Sequence, residues 1–225
     1  MRVWLDANAF RNARVASVEN VGRRQTKRLV IQAGAVEGVF FFTNRLSVVH
    51  KKICMLGAAA VGKTSLVRRF VKGIFRKEYV TTIGVQIEKK SVDVSGREVN
   101  LMLWDVNGED RFQRVSTSYI RGAAGYLLVA DGTRPQTLET ARQLHERARE
   151  AVGDVPFHLL INKADLRDAD PSSLNDAATA ATWSVTEETL ERHGLADWST
   201  MYTSAKDGTH VERAFTALAE AFVAS

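Results

Sequence analysis

The chain has 225 residues, 45% of them hydrophobic and 25% charged, which is enough for one domain with a sizeable core. No apolar stretch approaches the length of a membrane span, and a single cysteine, Cys54, excludes a disulfide within one chain and fits a reducing, cytoplasmic compartment. The charge is uneven: residues 1–52 hold ten Lys/Arg against three Asp/Glu, whereas residues 53–225 hold 21 against 23, so the basic total gives no ground for a nucleic-acid partner.

Residues 1–50 form a basic extension, Arg-rich and poor in acids in the manner of an organellar transit peptide, and the short apolar patch Val36–Phe42 carries Glu37. No uninterrupted apolar core with a small-residue cleavage site follows, so a secretory signal is not expected. From Lys51 a regular pattern begins. Lys51–Leu56 reads as a strand and Lys63–Lys72 as the first helix, and between them Gly57-Ala58-Ala59-Ala60-Val61-Gly62-Lys63-Thr64 fits G-x-x-x-x-G-K-[ST]. In such a loop the backbone N–H groups, including those of Ala60, Val61, Gly62 and Ser65 at the helix start, cradle phosphate oxygens beside the positive end of the helix. Lys63 can reach the β- and γ-phosphates, and the Thr64 hydroxyl can ligate Mg²⁺. The pattern therefore predicts a nucleoside triphosphate with magnesium.

Val85–Val94 and Val99–Val106, joined at Ser95-Gly96, read as a hairpin. Gly125–Ala130 is a fully apolar buried strand, Pro135–Val152 an amphipathic helix, and Pro156–Asn162 a further strand. That strand ends in Asn162-Lys163-Ala164-Asp165, at the carboxyl edge where ligands bind in open α/β sheets. A carboxylate at Asp165 can accept from guanine N1–H and the 2-amino group, while adenine would leave it unpaired. Lys163 can lay its aliphatic stem along the purine face. Val185–His193 reads as a helix ending at Gly194, and Thr200–Ser204 as a strand leading into a third base-side loop, Ser204-Ala205-Lys206. Thr209–Ala224 is a terminal helix with Val211, Phe215, Leu218 and Phe222 on one face. Strands and helices alternating at these lengths give a three-layer α/β sandwich.

These motifs, with YVTTIGV (79–85), WDVNGEDRF (104–112) and SYIRGA (118–123) in between, resemble a Ras-superfamily small GTPase of the Rab-like branch from about Lys51 to the end. The resemblance implies a P-loop NTPase small G domain over residues 51–225, with a mostly parallel sheet and one antiparallel edge strand. It implies a guanine-nucleotide switch that hydrolyses GTP to GDP with Mg²⁺, serving an effector, an exchange factor and an activating protein, and monomeric. It assigns Thr82 as the switch I threonine that ligates Mg²⁺ and senses the γ-phosphate, with Thr81 the alternative if the register is one off. Phe75 matches the aromatic across the guanine edge, or is a core residue under the first helix. Tyr79 matches the tyrosine that closes over the phosphates, Asp105 the carboxylate of the Mg²⁺ shell, and Gly108 the glycine whose N–H meets the γ-phosphate.

The departures bear on catalysis. Where the family reads D-T-A-G-Q, this chain reads Asp105-Val106-Asn107-Gly108-Glu109, so Glu109 stands in place of the glutamine that orients the attacking water. Glu109 points away, takes up a proton, or acts as a base; an ordinary solvated glutamate is an equal reading. Ala59 stands where the family often has Gly, and its methyl crowds the place where an external arginine would enter. Arg76 and Arg111 are switch arginines that act in cis or are simply solvated.

The span from Leu166 to Thr203 is longer than the family's and is expected to hold a surface insertion, with a partner-binding element the alternative. The family domain needs nothing before about Val48, so residues 1–50 are expected to be disordered or to precede the true start, with Val48 or Val49 as an alternative initiation position and a regulatory tail the other reading. Phe222-Val223-Ala224-Ser225 carries no prenylation cysteine and Arg2 follows Met1, so no lipid anchor is expected. Glu109 leaves open a second function, a GTP-binding interaction module with little or no hydrolysis.

Overall fold

The computed structural model describes residues 14–21, 26–33, 36–43, 49–76, 82–108, 115–167 and 182–224, in two units, Met1–Ser47 and Val48–Ser225. In the first unit β1 (Arg14–Val21), β2 (Thr26–Ala33) and β3 (Val36–Thr43) form an antiparallel meander. The sequence reading placed no element here. The three segments, though set among arginines, are rich in Val, Ile, Phe and Thr, which suit a pleated surface, and are joined by connectors short enough for hairpins.

The second unit runs β4 (Val49–Gly57), α1 (Lys63–Lys72), β5 (Val85–Val94), β6 (Arg97–Val106), α2 (Thr117–Ile120), β7 (Gly125–Asp131), α3 (Gln136–Val152), β8 (Phe157–Asn162), α4 (Glu187–Arg192), β9 (Thr200–Thr203) and α5 (Val211–Ala224). Its six strands pair in the order β5-β6-β4-β7-β8-β9, with only the edge strand β5 antiparallel. The three-layer α/β sandwich with one antiparallel edge strand is thus the observed architecture.

Side-chain alternation along the central strands builds two cores. Ile53 and Met55 of β4 join Leu127 and Val129 of β7 on one face, beneath α1 and α5. Cys54, Leu56, Tyr126 and Leu128 face the opposite way, beneath α3. Every residue of β7 is buried, as expected of a strand covered on both faces. Phe70 of α1 and Phe215 of α5 stack with ring centroids 4.1 Å apart, closing the first core. Each such side chain contributes about 1.5–3 kcal/mol by leaving water. Burial raises the Cys54 thiol to about 11, so it stays a protonated apolar filler.

Two helices start later than their apolar pattern suggests. The helix expected over Val185–His193 spans Glu187–Arg192, because Ser184 and Val185 donate their N–H groups to the Gly132 carbonyl and Thr186 forms a capping box with Thr189. The terminal helix begins at Val211 rather than Thr209. Thr209 bonds the Asp207 carboxylate through its N–H and hydroxyl, and His210 takes a left-handed φ of 51°. Among the described residues no helix is long and apolar enough to cross a membrane.

Candidate functional site

The carboxyl ends of β4, β6, β7, β8 and β9 bring the chemistry-bearing loops to one edge of the sheet, as open α/β folds do. The loop from Gly57 leads directly into α1. Gly62 precedes the helix with φ 100°, and a Cβ there would meet Asn162 Nδ2 at 2.2 Å, so the position admits only glycine. No side chain caps α1 and its first turn holds no acid, so this helix start supplies unmatched N–H donors and positive potential to the loop. Ser65 lies in that first turn.

Lys63 is buried, and its Nζ donates to the carbonyls of Gly57 (3.0 Å) and Ala58 (2.9 Å). Burial lowers its pKa to about 8; the Asp105 carboxylate opposes that shift and the Arg134 guanidinium adds to it. The Thr64 hydroxyl donates to Asp105 Oδ2 at 2.6 Å and lies 2.8 Å from the Thr82 hydroxyl. Asp105 is buried, which raises its pKa against the pull of Thr64 and Lys63, and its Oδ1 has no hydrogen-bond partner among the described residues. Three oxygen ligands converging with one carboxylate oxygen unmatched form a hard donor set suited to Mg²⁺, which takes one or two carboxylates and completes its shell from phosphates and water. Among the described residues no group of three His, Cys, Asp or Glu could hold a metal.

Gly108 follows β6 and presses against the loop: a Cβ on it would meet Ala59 Cα at 2.4 Å and the Ala58 carbonyl at 2.7 Å. Of the two threonines expected there, Thr82 lies beside Thr64, while Thr81, Tyr79, Arg111 and Glu109 lie outside the described residues. Phe75 is neither a core residue nor covered; it stands 37% exposed just beyond the end of α1 at Gly73.

At the carboxyl end of β8, Asn162 ties three loops together. It is buried, donates from Nδ2 to the Val61 carbonyl at 2.8 Å, and accepts the Ala205 N–H on Oδ1 at 3.2 Å. Asp165 lies in a single 3₁₀ turn, Ala164–Leu166; its Oδ1 accepts from the Ser204 hydroxyl at 2.7 Å and its Oδ2 lies 3.2 Å from Lys206 Nζ. Lys163 takes φ 70° and sends Nζ to Asp131 Oδ2 at 2.6 Å.

Three groups here carry no motif signal. Asp131 at the end of β7 is fully buried; burial would raise its pKa, but the bonds from Lys163 and from the Thr133 N–H and hydroxyl hold it below the ordinary value. The rule that marks Asn162, a polar residue closing an apolar strand at the carboxyl edge, marks Asp131 equally. Arg134 pairs with Asp131 Oδ2 through Nε at 2.8 Å and reaches the Ala59 carbonyl at 3.0 Å. Arg69 of α1 donates Nε to the Ala205 carbonyl at 2.9 Å and also bonds the Lys206 carbonyl, joining α1 to the loop after β9. No sequence spacing foretells contacts across 75 and 136 residues. Beside Asp131, the Trp183 ring covers Gly132, where a Cβ would meet Trp183 Cζ3 at 2.0 Å.

The model of the Ras family matches residues 52–224. The chain is 34% identical to Ras-related protein Rab-10 of Caenorhabditis elegans over 174 residues, 77% of this chain and 81% of that one. It is 32% identical to Ras-related protein Rab-19 of Xenopus laevis, covering 77% and 76% of the two chains. With Ras-related protein RABA2a of Arabidopsis thaliana the identity is 35%, over 76% and 74%.

Proposed function

Since the chain belongs to the Ras family of small GTPases, Rab-like in its motifs and relatives, we propose that it is a switch that binds GTP with Mg²⁺ and hydrolyses it slowly to GDP and phosphate. The observation that carries this reading is the convergence of Thr64, Thr82 and Asp105, with one Asp105 oxygen unmatched, beside an uncapped helix start. Lys63 trades the Gly57 and Ala58 carbonyls for β- and γ-phosphate oxygens. Thr64, Thr82 and Asp105 would hold Mg²⁺, which would supply neutralisation of the phosphate charge.

Gly108, pressed against Ala59, directs its N–H to the γ-phosphate, so that loss of this phosphate releases both Gly108 and Thr82. Asp165 reads the guanine edge, held in place by Ser204, and Lys163 lies against the purine while its ammonium stays on Asp131. The two switch stretches, 74–85 and 107–118, present the nucleotide state to an effector, an exchange factor and an activating protein.

Turnover by the isolated protein is on the order of minutes or longer, as for intrinsic small-GTPase hydrolysis with no arginine supplied by a partner. Glu109 favours a second reading, a GTP-dependent interaction module with little or no hydrolysis, since an anion near the γ-phosphate opposes the developing charge. Single-turnover hydrolysis of GTP by wild type, Glu109→Gln and Lys63→Ala separates the two. The switch reading expects slow release of phosphate by wild type, faster release by Glu109→Gln, and loss of Mg²⁺-dependent binding in Lys63→Ala. No phosphate release by wild type together with tight GTP binding selects the interaction module. Unchanged GTP affinity in a folded Lys63→Ala refutes both.

A further inference from the structure

We propose that Arg134 is a positioning residue of the phosphate loop, holding the strained Ala59–Ala60 peptide so that the Ala60 N–H faces the nucleotide's phosphates. The inference rests on the nucleotide reading above and assigns a role to a residue outside every motif.

Ala60 has a φ of 59°, in the left-handed region that a Cβ disfavours. Left to local preference, this peptide would turn over. The Ala59 carbonyl belongs to the same planar trans unit as the Ala60 N–H, and the two point in opposite directions. Arg134 grips that carbonyl with a charge-assisted hydrogen bond at 3.0 Å. The Ala60 N–H is thereby turned away from Arg134, and polarising the carbonyl makes the same N–H a stronger donor.

The guanidinium is itself fixed. Its Nε is held by the buried carboxylate of Asp131 at 2.8 Å, which Lys163 and Thr133 hold in turn. Its own carbonyl accepts from the N–H and the hydroxyl of Thr137, at the start of α3. Asp131 thus serves the base side through Lys163 and the phosphate side through Arg134.

The test is a double-mutant cycle on GDP affinity, with folding checked by circular dichroism. Arg134→Ala weakens GDP binding about tenfold or more, as expected for a charged hydrogen bond. In the Ala60→Gly background, where the left-handed conformation carries no Cβ penalty, the same change weakens it by less than about threefold. Arg134→Lys keeps the charge but cannot bridge the carboxylate and the carbonyl, so it behaves like Arg134→Ala. The ratio of GDP to IDP affinity stays at the wild-type value in all variants, because the Asp165 contacts are untouched. Equal losses in the two backgrounds, full retention of affinity in Arg134→Lys, or a changed GDP to IDP ratio each overturn the proposal. Wild-type affinity in Arg134→Ala overturns it while leaving the nucleotide reading intact. A wild type that binds no GDP overturns both.

Discussion

Asn162 is the residue whose removal tests the geometry of the site most directly. Asn162→Ala deletes one donor and one acceptor, leaving the Val61 carbonyl and the Ala205 N–H without their side-chain partner. Asn162 itself is buried, so the orphaned groups lie where water enters poorly. Each unmatched buried group costs about 1–3 kcal/mol. Taking about 1.5 kcal/mol for each of the two groups gives a sum of about 3 kcal/mol. At 1.4 kcal/mol per factor of ten, that is about a hundredfold in GDP affinity if the loss falls wholly on the bound state.

Asn162→Asp is the informative partner. It keeps an acceptor for the Ala205 N–H but sets a negative oxygen against the Val61 carbonyl, so it should bind GDP no better than Asn162→Ala. Dissociation of a fluorescent GDP analogue, with melting of the ligand-free protein alongside, separates loss of affinity from loss of fold. An Asn162→Ala variant that melts with wild type and binds GDP within threefold of it would refute the claim that this side chain couples the phosphate loop to the base loops.

Asp165→Asn should weaken GTP by a few kcal/mol through loss of a charge-assisted acceptor pair, and in competition the wild type should prefer GTP over ATP by orders of magnitude; equal GTP and ATP affinities would remove the guanine assignment. Gly132→Ala should expel the Trp183 ring and destabilise the protein by about 1–3 kcal/mol, the usual range for overpacking, with a red shift of tryptophan emission as the check. His145 and His158 have pKa values lowered from 6.5 chiefly by burial, so folding is opposed where the unfolded chain binds protons that the folded chain does not. Stability should therefore be fully present above about pH 6.5 and decline as pH falls below it. In His145→Phe, which removes the ring that Tyr126 hydrogen-bonds at 3.0 Å, chemical denaturation should show a shallower acid slope than wild type.

What was legible in the sequence followed from local rules. Gly62, Lys63 and Thr64 are readable because a strand, a tight loop and a helix start must be adjacent in the chain to make an anion site. Asn162 and Asp165 are readable because a strand end falls at the carboxyl edge of the sheet. The β5–β6 hairpin is announced by Ser95-Gly96 between alternating segments, and both residues have positive φ. Arg134, Arg69 and the Trp183–Gly132 contact are tertiary: their partners are fixed only once β4, β7, β8 and β9 lie side by side, and no periodicity encodes them. The helix starts at Glu187 and Val211 were displaced for a related reason, since Gly132 and Asp207 claim N–H groups that the apolar pattern would give to the helix. The strands of the first unit are masked by the basic charge of residues 1–52 and marked only by their β-branched and aromatic residues.

Tyr202 on β9 has a consequence for how this chain can change. The Arg167 guanidinium lies over its ring, 4.5 Å from the centroid, and the Trp183 ring approaches it at 5.8 Å. Arg167, just past the turn Ala164–Leu166, and Trp183, ahead of α4, are therefore moored to one aromatic side chain. A single substitution at Tyr202 thus loosens two stretches of chain at once, the one that follows Asp165 and the one that covers Gly132.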